Sequence, residues 1–212
     1  MKHDAVRRSL LELGRDKDVL MLGPLGRYEC YRQGMLDYWD FKFLAGISRT
    51  ILGLDINADL VRVASADGFN VRTGDAESFL DETGARRFDL IYAPDLIEHL
   101  GNPLKCLECC AAAIRPGGLI VMETPNPIGI NTIVKALVTG GKDSLEEHTC
   151  WIDKGNAKEL GRRAGLSLQT QNYTPINPYG FWKGLRTRIY RAISSVRPGL
   201  ACKAVFIYRR MA

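Results

Sequence analysis

The chain has 212 residues, 46% of them hydrophobic and 25% charged, enough to bury one sizeable core as a single domain spanning 1–212. It contains no apolar run long enough to cross a bilayer, and its start, MKHDAVRRSLLELG, is charged and lacks a signal-peptide core, so a soluble cytoplasmic protein is expected. The net charge of +5 conceals an asymmetry, because ten basic residues and no acidic one follow Glu159, which points the C-terminal part toward something anionic.

Residues 4–13 predict a short helix with Val6, Leu10, Leu11 and Leu13 on its apolar side, inside an N-terminal helical region drawn at 1–16. Asp18 to Pro24, DVLMLGP, reads as a buried strand ending in a turn with Gly23 and Gly26, where backbone can approach a phosphate or nucleoside closely. That turn is G-P-L-G and Pro24 has no amide hydrogen, so the dinucleotide fingerprint of a nicotinamide-dependent oxidoreductase is missing. The aromatic stretch within 28–46, with Tyr31, Tyr38, Trp39 and Phe41, suits either a lid across a pocket mouth or an edge helix whose rings are core. Thr50 to Asp55, TILGLD, is the second strand, and Asn57 caps a helix over 58–67. The Asp55 carboxylate offers two acceptor oxygens to the adjacent hydroxyls of a ribose. A third strand, Phe69 to Arg72, leads to Gly74, Asp75, Ala76 and Glu77, where Asp75 either caps a short helix or accepts from an exocyclic amine such as that of adenine.

The segment FDLIYAPDLIEHLGNP carries the densest chemistry. Phe88 to Tyr92 predict an interior strand, Pro94 breaks it, and Asp95, Glu98 and His99 follow at i, i+3 and i+4, the spacing that stacks three polar groups on one helix face. Ligands of open α/β sheets bind beyond the carboxyl ends of strands, so this is where a site is expected; the alternative is that Asp95 caps the helix and the other two satisfy backbone groups. Leu104 to Arg115 then give a helix stopped by Pro116, Gly117 and Gly118, and Leu119 to Glu123 the fifth strand, followed by a stiff turn through Thr124, Pro125, Asn126 and Pro127. Three of the six cysteines crowd that helix, and the lone CxxC of Cys106 and Cys109 reads as reduced thiols, not a zinc site or disulfide framework. Strands alternating with helices in this way predict an α/β fold with a doubly wound, parallel, Rossmann-like sheet. Near the C-terminus, within 174–200, Phe181, Leu185, Ile189 and Ile193 recur beside Lys183, Arg186, Arg188 and Arg191. This basic amphipathic helix either meets an anionic membrane surface or lipid-linked substrate, or turns its apolar side to the core; no nucleic-acid motif accompanies the charge.

In order, LMLGPLG, ILGLDI, TGDAESF, FDLIYAPDLIEHL and IRPGGLIVMETPNP resemble the class I S-adenosylmethionine-dependent methyltransferases, particularly the branch that includes ubiquinone-pathway O-methyltransferases. The resemblance covers about residues 17–173 and extends to EEHTCWIDKGNAKELGRRAGL, a stretch that some relatives associated with cell-surface glycan pathways share. It implies a mostly parallel sheet of seven strands with the last antiparallel, Leu166 to Tyr173 and Cys202 to Arg209 supplying the final two. It implies S-adenosylmethionine as cofactor, with Gly23, Pro24 and Gly26 toward the methionine part, Asp55 at the ribose, Asp75 and Ala76 at the adenine, Pro94 near the sulfur, and Ile56 also among the cofactor-binding residues. It further implies methylation of a hydroxyl on a small molecule, sugar or glycan, with His99 as general base held by Asp95 or Glu98. Some branches place a divalent metal on an acidic-x-x-Glu-His segment and one adds a later histidine, which here implies Mg2+ on Asp95, Glu98, His99 and His148; alternatively His148 orients its loop with Trp151. Met21, Leu25 and Arg27 depart from the family's first motif, so a non-catalytic binding protein with this fold is the alternative to an enzyme. Peripheral association at the inner membrane surface follows from the basic helix alone.

Overall fold

In the computed structural model, which describes residues 5–84, 87–140, 147–174 and 183–211, the apolar runs become one seven-stranded sheet. The elements are, in order, α1 (Ala5–Glu12), β1 (Asp18–Leu22), α2 (Tyr28–Arg32), α3 (Asp40–Ile47), β2 (Thr50–Asp55), α4 (Ala58–Ala66), β3 (Val71–Thr73), α5 (Leu80–Thr83) and β4 (Phe88–Pro94). There follow α6 (Pro103–Ala113), β5 (Ile114–Pro125), α7 (Ile130–Thr139), α8 (Lys154–Arg163), β6 (Leu166–Thr174), α9 (Lys183–Val196) and β7 (Lys203–Arg210). Strand order is β3-β2-β1-β4-β5-β7-β6, parallel except for β7, which runs antiparallel to both neighbours. His3 and residues 175–182 of the basic segment lie outside the described residues.

Period-two alternation along β1 builds a layer on each face. Leu20 and Leu22 point into one core with Leu52, Ile91 and helix α6, and Val19 and Met21 into the other with Leu25, Tyr28, Trp39 and Phe41. The aromatic stretch therefore packs mostly as core: Trp39 lies 4.9 Å from Tyr28 and 5.1 Å from Phe41, ring centroid to ring centroid, while Tyr38 stays half-exposed. Asn57 caps α4 as expected, its side-chain oxygen accepting from the Leu60 amide at 3.0 Å.

Two expectations need correcting. The fifth strand begins at Ile114, not Leu119: Ile114 pairs with Phe88, the register shifts before Leu90 meets Leu119, and Gly117 at φ 80° bends the chain, so Pro-Gly-Gly kinks the strand without preceding it. Asp95, Glu98 and His99 do not share a helix face. Asp95 sits at φ 49° immediately after Pro94, and only Ile97–His99 form a single 3-10 turn, with no side-chain cap. A proline ending the strand and a left-handed residue after it turn the chain before helical spacing is established.

Candidate functional site

Three loops meet at the carboxyl end of the sheet. Gly23 leaves β1 in the left-handed conformation, φ 64° and ψ 42°, and its N–H donates to the Leu54 carbonyl at 2.9 Å. The chain then makes a 3-10 turn over Pro24–Arg27, clamped by Trp39, whose indole N–H donates to the Pro24 carbonyl at 2.6 Å. Asp55 ties this turn to its own strand end, Oδ2 accepting from the Leu25 amide at 2.9 Å and Oδ1 from the Asn57 amide at 3.0 Å. Gly26 faces open space, since a Cβ there would meet nothing within 4 Å.

Gly23, Pro24, Gly26 and Pro94 line a cleft of about 270 Å³, joined by Tyr38, Trp39, Asp40, Asp95 and His99. The lining also includes Glu147 and Arg27, so three acidic residues and two aromatic rings outnumber one guanidinium around the space, a balance that suits a ligand carrying a cationic group such as a sulfonium or ammonium. Asp55, Ile56, Asp75 and Ala76 stand at neighbouring strand ends and are not part of that lining. Ile56 is 74% exposed directly after Asp55, an apolar surface next to a carboxylate. Asp75 is exposed and its Oδ1 accepts from the Glu77 amide at 2.9 Å; Ala76 is half-buried against the core.

The second cluster forms beside the cleft, where the segment 147–150 is stapled to the turn after β4. Thr149 donates its amide to the Glu98 carbonyl at 2.8 Å and its hydroxyl to the Leu100 carbonyl at 2.6 Å. This brings His148 against His99, with ring centroids 4.7 Å apart and edge-on, and Trp151 stands edge-on to His148 at 6.2 Å. Glu98 is only 2% exposed, and burial, with Asp95 adding, pushes its carboxyl up to about 7. Burial and the neighbouring His99 hold His148 below the usual imidazole range. One ligand atom from each of Glu98, His99 and His148 lies within 4.8 Å of the others, and Glu98 Oε2 and His148 Nδ1 are buried without a hydrogen-bond partner. The arrangement fits a cation held by one carboxylate and two imidazoles. Asp95 stays outside that group, its Oδ2 being held by Lys203 at 2.5 Å and approached by Arg27 at 3.7 Å.

Lys203 and Glu123 went unrecognised in the sequence. Each looks like an ordinary charged residue at a strand boundary; only the antiparallel pairing of Pro125 with Lys203 sets the lysine over Glu123 and Asp95.

A family model for a methyltransferase domain matches residues 3–171. Among curated proteins, the chain is 23% identical over 163 residues to the ubiquinone biosynthesis O-methyltransferase of Thiobacillus denitrificans, covering 70% of this chain and 65% of that protein. It is 27% identical over 137 residues to the protein of the same name from Coxiella burnetii, covering 55% and 58%. The matches thus span about three-fifths of those relatives' length. Among solved structures, a SAM dependent methyltransferase from Archaeoglobus fulgidus superposes with a TM-score of 0.59 at 18% identity, covering 97% of this chain and 91% of that one. The YcgJ protein from Bacillus subtilis does so with 0.63 at 13%, covering 99% and 100%.

Proposed function

We propose a reaction from one premise: the chain belongs to the methyltransferase domain family. The reading is an S-adenosylmethionine-dependent O-methyltransferase whose acceptor is a hydroxyl on a small molecule, sugar or glycan. The observation that carries it is the cleft between the Gly23–Gly26 turn and Pro94–Asp95, with His99 in its wall.

Asp55 would hold the ribose through the lone pairs its two amide bonds leave over, Ile56, Asp75 and Ala76 would border the adenine, and Gly23, Pro24, Gly26 and Pro94 would take the methionine part. The bound cofactor supplies a methyl group already activated on a sulfonium. The protein's share is then alignment, exclusion of water and removal of one proton. His99 Nδ1 lies 3.2 Å from the Glu147 carbonyl; with the proton on Nδ1, Nε2 is the acceptor for the hydroxyl proton. Glu98 and Asp95 set the position of that turn.

The cluster of Glu98, His99 and His148 supports a second version, in which these three would hold Mg2+ or another divalent cation, whose charge would acidify the acceptor hydroxyl. Manganese titration followed by electron paramagnetic resonance separates the versions: tight binding lost in His148→Ala favours the metal, and its absence favours His99 alone.

Calorimetric titration with S-adenosylmethionine and S-adenosylhomocysteine, using Asp55→Ala as control, tests the whole reading. Micromolar-range binding abolished by the substitution supports it. No heat and no thermal stabilisation at high ligand would leave a binding domain that has lost its cofactor through the residues at Met21, Pro24 and Leu25.

A further inference from the structure

The three acids in the cleft wall are not equivalent. Asp95 is held by Lys203 and approached by Arg27, and Glu147 is exposed. Asp40 lines the same cleft while only 5% exposed.

Two anchors place it there. Asp40 opens α3 directly after Trp39, and the Trp39 indole bond to the Pro24 carbonyl at 2.6 Å draws that helix start onto the turn after β1. From the sheet side, Tyr92 pairs with Met21 in the neighbouring strand, and its hydroxyl lies 3.4 Å from Asp40 Oδ2, at the long end of hydrogen-bonding range. The β1 side chain that reaches the cleft is Met21, whose thioether is a weak acceptor, so the negative group beside the Gly23 turn comes from α3 instead of β1. The first turn of a helix favours a carboxylate through the helix dipole, but an exposed carboxylate serves that purpose equally well. Burial in the wall of a cleft is a separate property.

We infer that Asp40 receives the ammonium group at the amino-acid end of S-adenosylmethionine. The inference rests on the methyltransferase reading and adds to it a residue that selects the ligand. A buried carboxylate costs free energy unless a cation or hydrogen-bond donors face it, and an ammonium supplies both, with three N–H donors. The Tyr38 and Trp39 rings in the same wall add faces that attract a cation. Gly23 and Gly26 leave the rest of the amino-acid end to main chain, which can approach it closely.

The test is calorimetric titration of the purified chain with S-adenosylhomocysteine and with its deaminated analogue, which keeps the adenosine, thioether and carboxylate but lacks the ammonium group. The wild type binds the analogue roughly tenfold to a hundredfold more weakly, the loss of one charged hydrogen bond. Asp40→Asn loses affinity for S-adenosylhomocysteine by a similar factor and binds the two ligands alike. A purely structural Asp40 would lower both affinities together and leave their ratio untouched. Thermal melts of the same samples report folding. If the asparagine variant does not melt cooperatively, Asp40→Glu, which keeps the charge on a longer stem, is read by the same ratio and discriminates several-fold less than the wild type. Equal binding of both ligands by the wild type, or a preference that the folded variant retains in full, overturns the inference and leaves the cofactor site standing. Binding of neither ligand by the wild type overturns the methyltransferase reading and the inference with it.

Discussion

The ammonium of Lys203 lies 2.6 Å from Oε1 of the fully buried Glu123, so the first residue of β7 and a residue near the end of β5 are joined by a charged hydrogen bond inside the sheet. The same nitrogen holds Asp95, the residue that follows β4 at positive φ, and the Asp95 amide donates to the Glu123 carbonyl at 2.7 Å. Burying such a group gains little net stability over an apolar equivalent. Its effect is positional, fixing the turn that carries Asp95, Glu98 and His99 against the cleft.

Replacing Lys203 by Met strands two carboxylates around a buried space. Stability falls by about 3–5 kcal/mol in urea denaturation. The double variant Lys203→Met with Glu123→Gln recovers a large part of that loss, because the fully buried one of the two charges is gone while Asp95 keeps Arg27 at 3.7 Å; an unrecovered double variant would mean that packing, not charge, is what Lys203 supplies.

Glu98 gives a pH signature of opposite sign to most carboxylates. Its folded pKa of about 7 stands above the unfolded value, so the native state favours the proton, and stability is fully present below the unfolded pKa and declines as pH rises through 7. Glu98→Gln removes that decline: at pH 8 the variant is more stable than the wild type by about 2–3 kcal/mol, and at pH 4 the two converge. Methyl transfer by the variant is reduced at every pH. Thermal melts across this range together with product formation check both halves.

At the other end of the sheet, Asp18 binds Arg49 and Arg115, each at 2.7 Å, and accepts from the Thr50 hydroxyl at 2.9 Å. The Arg49 guanidinium, helped by Arg115 and Thr50, holds its carboxyl far below the usual range against the opposing effect of burial. That contribution is present above the unfolded pKa and is lost as pH falls. Asp18→Asn therefore costs about 1 kcal/mol at pH 7 in solvent-screened surroundings, and its melting curve starts to approach that of the wild type only below about pH 4, converging toward the far lower folded pKa, with cofactor binding unchanged.

Gly53 is the place where a methyl group would reach the Pro24–Arg27 turn from below. A Cβ there would lie 2.8 Å from Phe41 and Val71 side-chain carbons and 2.9 Å from Pro24 Cγ. Gly53→Ala forces β2 away from Pro24, lowering stability by about 1–3 kcal/mol. It also weakens S-adenosylmethionine affinity in titration, although residue 53 itself is buried beneath the turn.

Local sequence determined a good deal of this protein. The run TILGLD became β2 with the same bounds, Asn57 capped α4, and the order of apolar runs and helices specified a doubly wound sheet, because hydrophobic periodicity, capping and strand-ending glycines act within a few residues. The turn after β1 at Gly23 was legible for the same reason. The chemistry around His99 was decided elsewhere. Helical spacing put Asp95 beside Glu98 and His99, but the backbone turn after Pro94 gave Asp95 to Lys203, 108 residues away. His148, already expected beside Glu98 and His99, is brought there by the Thr149 staple. Likewise Ile133, Val134, Leu137 and Val138 of α7 carry the pattern of a core helix, and only the packing of the sheet leaves them exposed. Sequence alone determined most of the strands and helices, since those preferences are local, but not the Ile114 start of β5 or the turn after Pro94; which charges meet, and which apolar faces stay uncovered, depended on strand pairing and loop crossing, which no local pattern encodes.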